Sequence, residues 1–341
     1  MRGLAKALLV LSRFGEVNKM KTSFNFSDPL ELSEKLSLFG QATRITQLDD
    51  GPGTYEISAS ENKGISLAQI SASKTLLYEG WGNGRTVDFN WVTPLSSRFE
   101  VYGYCDGYEM RPNSLAGFGT INPSPRNAWG KYSSDCLSTA CMVDKERLMN
   151  LLSKCKAYDA LDRLNNQVGM HCNNDAFHQI RKLAKKDLNA GIINSSKYFD
   201  LIVACLEESD SDTLLLRDSK NINQLREIVY LAHDVETMSD PLTLSQVCAY
   251  IDSSQASLYR TCQEFFGMGI IELMTHVRME ESRRVLLNKE LRQNLRLYSI
   301  RDVAIRYGFK HQGRYARRYF TSFGELPSQT IERSRDYSIE Y

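Results

Sequence analysis

The 341-residue sequence has no Cys-x-x-Cys pair, no apolar run approaching a membrane helix, and only five histidines, none before His171. Each absence removes a class of function. The eight cysteines (Cys105, Cys136, Cys141, Cys155, Cys172, Cys205, Cys248, Cys262) are scattered, with no histidine at zinc-ligand spacing. They read as reduced, mostly buried thiols, with no structural metal. A membrane helix needs roughly 18 apolar residues, whereas the N-terminal run from Ala7 to Leu11 has five. That run is also too short for a signal sequence and lacks a cleavage pattern, so the expectation is a cytoplasmic protein without a membrane partner. Met20 is an alternative start to Met1. The histidines His171, His178, His233, His276 and His311 all follow the β-rich region described below, which argues against a His-ligated metal in that region. No nucleophile–base constellation is apparent, so neither a cofactor nor catalysis is expected.

Hydrophobic residues make up 42% and charged residues 24%, the composition of a globular protein with a buried core. The formal net charge of +1 conceals an asymmetry: from Pro241 onward there are 15 Lys/Arg against 11 Asp/Glu. A basic end on a neutral-to-acidic body fits a nucleic-acid reader joined to a regulatory part.

After an N-terminal segment (1–40), residues 41–143 are rich in Gly, Ser, Thr and aromatics. Short alternating runs (Ile65 to Ile70, Phe99 to Tyr104) are separated by turn signals such as Asp50-Gly51-Pro52-Gly53 and Arg111-Pro112-Asn113. This spacing predicts an antiparallel β domain. From Asp144 the period changes: Leu148, Leu151, Leu152 and Cys155, then Phe199, Ile202, Val203 and Leu206, recur every three to four residues, predicting a helical region over 144–238. A helix is expected from about Asn221 to the break at Ser239-Asp240-Pro241. No low-complexity linker is present, so the parts should pack closely.

The region 239–338 contains a repeat. Thr243-Leu244-Ser245-Gln246 is a capping box opening a helix with Leu244, Val247, Cys248 and Ile251 on one face. A second helix carries Leu258, Cys262 and Phe265 inward and closes at Gly267. About 57 residues later the plan recurs, with a cap at Ser299-Ile300-Arg301-Asp302, Val303 and Ala304 inward, a turn at Gly308-Phe309, and Tyr315, Tyr319 and Phe323 before Gly324. Ile270 to Leu287 forms a connector helix, with Arg278, Arg283 and Arg284 available to solvent or phosphate. Two helix-turn-helix units (about 244–266 and 300–323) are thus expected on one rigid rod.

The run Ile300, Val303-Ala304, Gly308-Phe309, Tyr315, Arg318, Tyr319, Phe323-Gly324 and Pro327 resembles the second unit of the AraC/XylS family of transcription regulators. The first unit fits at Ser254, Leu258, Arg260, Gly267 and Arg278, but Cys262 stands where Phe is usual and Ser282 where Ala is usual, which implies a looser first core. The Gly313 to Arg317 run is similar to regulators of amine and aromatic catabolism, including the ethanolamine-utilisation type. The resemblance implies an α+β architecture: a cupin-like antiparallel β domain for sensing or dimerisation, a helical linker or dimerisation region over 144–238, and an all-α double helix-turn-helix. It also implies an activator, double-stranded DNA and RNA polymerase as partners, a homodimer and a small-molecule effector.

Within the repeat, the polar face opposite the apolar stripe marks the DNA-reading candidates. These are Gln255, Ala256, Tyr259, Arg260 and Gln263 in the first unit, and Gln312, Gly313, Arg314, Arg317 and Arg318 in the second. Arg forks onto guanine O6/N7 and Gln onto adenine N6/N7, so Arg260, Gln312, Arg314 and Arg317 are the candidates for base contact. Arg306 and Arg318 are assigned to phosphate or structure, and His311 to an N-cap. Trp81, Trp91, Tyr102 and Trp129 are candidates to line an effector pocket in the β domain, core packing being the competing reading. Two alternatives remain: an N-terminal domain that contacts a protein rather than a small molecule, and a β-barrel enzyme with an appended helix-turn-helix module.

Overall fold

The computed structural model describes residues 22–37, 42–81, 84–121, 128–208 and 220–336. The expectations for Met1, Met20 and the Ala7 to Leu11 run lie outside them. The chain opens with β1 (Thr22–Phe26), α1 (Pro29–Ser37), β2 (Ala42–Gln47), β3 (Tyr55–Asn62), β4 (Ile65–Ala72), β5 (Leu76–Trp81) and β6 (Thr86–Pro94). Short strands β7 (Gly103–Cys105), β8 (Tyr108–Glu109) and β9 (Ser114–Ala116) follow, then β10 (Ala128–Tyr132) and β11 (Cys136–Asp144). Helices α2 (Lys145–Cys155) and α3 (Tyr158–Asn166) precede β12 (Gly169–His171), and α4 (Asp175–Ala190) and α5 (Ser195–Glu208) complete this half.

All pairings are antiparallel and build two sheets, one ordered β1-β3-β4-β11-β6-β9-β12 and the other β2-β5-β10-β7-β8. The large sheet therefore extends on both sides of the 41–143 stretch, taking in β1 before it and β12 within the helical region. A three-residue strand such as β12 carries too little alternation to register against helical periodicity.

Strand alternation sorts the side chains into layers. Ile65, Leu67, Phe89 and Trp91 face α2 to α5, burying Leu148, Leu152, Phe177, Ile180 and Ile202. Ala68, Ile70 and Met142 face the other way, toward Ile45, Leu76 and the α1 residues Leu32 and Leu36. The apolar stripes of the middle region are thus spent on the sheet. Tyr158 and Ile192 are the large hydrophobics from that region left exposed among the described residues.

The outer face of the small sheet packs on the C-terminal helices. These are α6 (Lys220–His233), α7 (Val235–Met238), α8 (Leu244–Ile251), α9 (Gln255–Phe266), α10 (Ile270–Leu287), α11 (Lys289–Asn294), α12 (Ile300–Arg306), α13 (Gln312–Phe323) and α14 (Pro327–Asp336). The helix expected to run from about Asn221 to Ser239 is two, parted at Asp234. Tyr104 stacks on Phe265 at 4.7 Å and Trp129 on Phe266 at 5.6 Å.

The connector α10 departs from expectation. Arg278 and Arg283 are buried and Arg284 half-buried, not solvent-facing, because α10 lies between the repeat and the sheet. Arg283 pairs with Asp28 at 3.0 Å and Glu325 at 3.1 Å and lies over the Phe323 ring, while Arg278 lies over Phe309. Burial pushes the neighbouring Glu280 carboxyl well above its usual range, against the pull of Arg283. Glu79 of β5, which feels the charge of Glu281 on α10, lies 3.6 Å from both Arg44 and the His233 ring. Burial raises Glu79 to about 7 in spite of Arg44, and lowers His233 to about 4.

Candidate nucleic-acid interface

Both capping boxes form as the sequence predicts. Thr243 and Gln246 exchange side-chain and backbone bonds at the start of α8, and Ser299 and Asp302 do so at α12. The Ser299 hydroxyl and the Tyr298 and Ser299 N–H groups hold the Asp302 carboxyl below its usual range. In each unit the second helix closes on a left-handed glycine, Gly267 after α9 and Gly324 after α13. His311 occupies the N-cap position of α13, but its side chain makes no cap hydrogen bond.

The second unit is fixed by aromatic stacking and hydroxyl anchors. Phe309, Tyr315, Tyr319 and Phe323 stack in sequence with centroids 4.7 to 5.7 Å apart. Tyr315 Oη donates to Ser282 Oγ at 3.1 Å, which gives the departure at Ser282 a function: it anchors the second reading helix to the connector. Tyr319 Oη shares a hydrogen bond with Thr330 Oγ1 at 2.8 Å. The first unit has no such stack. Cys262 is nonetheless fully buried between Leu258 and Phe266, and Trp129 supplies aromatic contact to this core from the β domain. Leu244, expected inward, is exposed at 36% because it occupies the first turn of α8, outside the packed face.

With these inner faces committed, the opposite faces are bare. Gln255, Ala256, Tyr259, Arg260 and Gln263 are all exposed on α9, as are Gln312, Gly313, Arg314 and Arg317 on α13. Arg318 differs: it is half-buried, donates to His276 Nε2 at 3.2 Å and lies 4.0 Å from Asp50. Burial and the adjacent Arg318 charge keep the His276 ring below its usual pKa. A groove of about 550 Å³ runs between α9 and the first turn of α10, bordered by Gln255, Tyr259, Gln263, Thr275 and Arg318. Gly269 caps α10 without a side-chain bond, and the first turn of this 18-residue helix, Ile270, Ile271 and Glu272, borders the groove, setting the positive helix end and Arg318 beside the Glu272 carboxylate. Sequence reasoning missed this element, since an uncapped glycine leaves no side-chain signature.

The pocket candidates are dispersed. Trp91 is buried between the large sheet and its helices, and Tyr102 donates to the Ser96 carbonyl. Trp129 packs on Phe266. For Trp81 only the backbone, at the end of β5, is described. Between the sheets lies a cavity of about 110 Å³, bordered by Trp129 but faced chiefly by Tyr78, Tyr132, Asp88, Asn90 and Met142. Tyr78 and Tyr132 were not singled out in the sequence because alternation alone does not tell which face of a two-sided sheet meets a void. Among the described residues no group of His, Cys, Asp and Glu could hold a metal, and no helix is long and apolar enough to cross a membrane.

Residues 247–333 match a family model described as "Helix-turn-helix domain". The chain is similar to the XylDLEGF operon transcriptional activator 2 of Pseudomonas putida, 34% identical over 96 residues, covering 28% of this chain and 59% of the relative. It is 25% identical over 175 residues to the XylDLEGF operon transcriptional activator of the same organism, covering 51% and 50%. A probable thc operon regulatory protein of Rhodococcus erythropolis is 31% identical over 91 residues, covering 27% and 26%. The chain thus spans about half the length of the curated relatives it matches. Among solved structures, an AraC-type regulator from Chromobacterium violaceum aligns at 19% identity and TM-score 0.29, covering 33% of this chain and 92% of that one. ToxT from Vibrio cholerae aligns at 11% and 0.29, covering 86% and 97%. Both scores are too low to superpose the whole chain. The matched segment contains both capped, glycine-closed units and their connector, and it identifies the C-terminal part of this chain as a helix-turn-helix domain similar in sequence to that of the XylDLEGF operon transcriptional activators.

Proposed function

We propose that this protein is a sequence-specific, DNA-binding transcriptional activator that places α9 and α13 in successive major grooves of one duplex. The observation that carries this reading is the pair of equivalently built helices, each with a buried apolar face and a bare polar one, on a single buried connector. This reading requires the two helices to lie about 34 Å apart, the repeat of successive major grooves along one duplex face. Arg260, Gln312, Arg314 and Arg317 read base edges; Gln255, Ala256, Tyr259, Gln263 and Gly313 line the same surface, and Arg318 meets phosphate. The protein acts in the cytoplasm as a homodimer that engages RNA polymerase. Fluorescence anisotropy with promoter-length duplexes tests the reading: tight binding over competitor is expected, and equal affinity for random duplex at physiological salt contradicts it.

The cavity between the sheets supports a small-molecule effector rather than a protein contact as the input. At about 110 Å³ it is well below the roughly 300–1,000 Å³ of drug-sized sites, so the effector is compact. A library of small amines, organic acids and aromatics should contain a compound that raises the melting midpoint by mass action. A library-wide absence of shift favours the protein-contact reading.

A further inference from the structure

The turn between β2 and β3 reaches across to the end of the second reading helix. Gly51 N–H donates to the Thr321 carbonyl at 2.9 Å and Gln47 Nε2 to the Ser322 carbonyl at 3.2 Å. Ser322 Oγ donates to Asp50 Oδ1 at 3.2 Å, and Pro52 lies against Gly324. The last carbonyls of a helix have no partner within it; here the β domain supplies donors to two of them. The turn also brings two exposed carboxylates, Asp49 and Asp50, to the edge of the groove. Asp50 Oδ1 sits 4.0 Å from Arg318 Nη2, and Arg318 borders the groove together with Gln255, Tyr259 and Gln263 of the first reading helix. One cation therefore faces both a β-domain carboxylate and the surface between the two readers.

We propose that Asp50 stands in for a DNA phosphate on Arg318, so that seating of the β2–β3 turn on α13 and engagement of DNA by Arg318 exclude one another. This rests on the DNA-binding reading above. Carboxylate and phosphate present similar anionic oxygens to a guanidinium, and a duplex entering the groove would bring its phosphates against Asp49 and Asp50, a like-charge clash. The turn has a route to the cavity. Thr43, Ile45 and Gln47 share one face of β2; Thr43 borders the cavity, while Gln47, which accepts from Tyr55 Oη, holds the turn to α13.

The test uses the full chain and a duplex selected from a random pool, with affinity measured across a salt series for the wild type, Asp50→Asn and Asp50→Asn/Arg318→Ala. The single variant should bind about two- to fivefold more tightly, the scale of an exposed ion pair, with a salt dependence steeper by up to about one phosphate contact; the added Arg318→Ala should erase both gains. Hydrogen exchange of the wild type should show residues 47–53 losing protection when the duplex is added. Unchanged or weaker binding by Asp50→Asn, or a turn that stays protected in the complex, overturns the exclusion. Binding by neither the wild type nor the single variant overturns the DNA reading itself, and the exclusion with it.

Discussion

Gly267 and Gly308 hold nearly the same left-handed backbone, with φ of +74° and +79°, but a methyl group would meet different surroundings at each. Around Gly267 there is no heavy atom within 4 Å of an added Cβ. Gly267→Ala therefore costs the backbone strain of a Cβ in the left-handed region alone, about 1–2 kcal/mol. At Gly308 the same Cβ would lie 2.5 Å from Pro241 Cγ and 2.6 Å from the Met238 carbonyl oxygen. Neither is the free end of a flexible side chain, so the turn must open or the chain after α7 must move. Overpacking of this kind adds about 1–3 kcal/mol, bringing Gly308→Ala to roughly 2–5 kcal/mol. In a thermal melt, 1 kcal/mol corresponds to about 2–4 °C for a unit of this size. Gly267→Ala should lower the midpoint by a few degrees and Gly308→Ala by about 2–12 °C more, with a parallel loss of DNA binding at 37 °C. Equal shifts for the two variants would refute the argument that the packing around Gly308, and not backbone handedness alone, demands glycine there.

Arg317→Ala should weaken specific DNA binding more than Arg260→Ala, by about 1–3 kcal/mol, because α13 is braced by the aromatic stack and α9 is not; anisotropy titrations giving the reverse order contradict this. Tyr315→Phe removes the hydroxyl bond to Ser282 but leaves Ser282 Oγ its bond to the Met279 carbonyl, so the urea midpoint should fall by only about 0.5–1.5 kcal/mol equivalent. The buried Glu79 carboxyl, raised to about 7, binds its proton more tightly when folded. Its contribution is full below the unfolded value near 4.5 and is lost as pH rises through 7. His233, lowered to about 4, acts oppositely, its contribution lost as pH falls from 6.5 toward 4. Between about pH 4.5 and 6.5 the two opposite slopes cancel, so stability should be level there and fall between about pH 6.5 and 7. Glu79→Gln should remove that fall and expose a rise from about pH 5 to 6.5; urea midpoints from about pH 5 to 8 that the substitution leaves unchanged in profile refute the assignment.

The parts legible in the sequence are those decided locally. Caps at Thr243 and Ser299, closing glycines at Gly267 and Gly324, and the connector from Ile270 to Leu287 are written in three- and four-residue patterns, and the structure has them at those positions. Arg278, Arg283 and Arg284 show where such patterns end. Arg278 and Arg283 are buried by Asp28, Phe309, Phe323 and Glu325, partners far from them in the chain, so periodicity assigns them to water; the half-buried Arg284 pairs with Glu281, one turn away. The pocket aromatics divide: Trp129 borders the cavity while Trp91 is buried against the helices, because strand alternation fixes that two faces exist and leaves open which one is hollow. Half of the exposed surface on α13 is visible as an Arg-rich stripe, but Arg318, on the same helix, is diverted by a turn nearly 270 residues earlier.

The burial of α10 beyond its first turn has a practical consequence for dissection of the molecule. A fragment starting near Pro241 would retain both reading helices yet bare Phe265 and Phe266, which the β domain covers through Tyr104 and Trp129. It would also leave Arg283 without Asp28. Such a fragment carries a contiguous sticky patch beside an arginine that keeps Glu325 but has lost its second carboxylate, and its solubility should depend on replacing those phenylalanines with polar residues rather than on the choice of cut site.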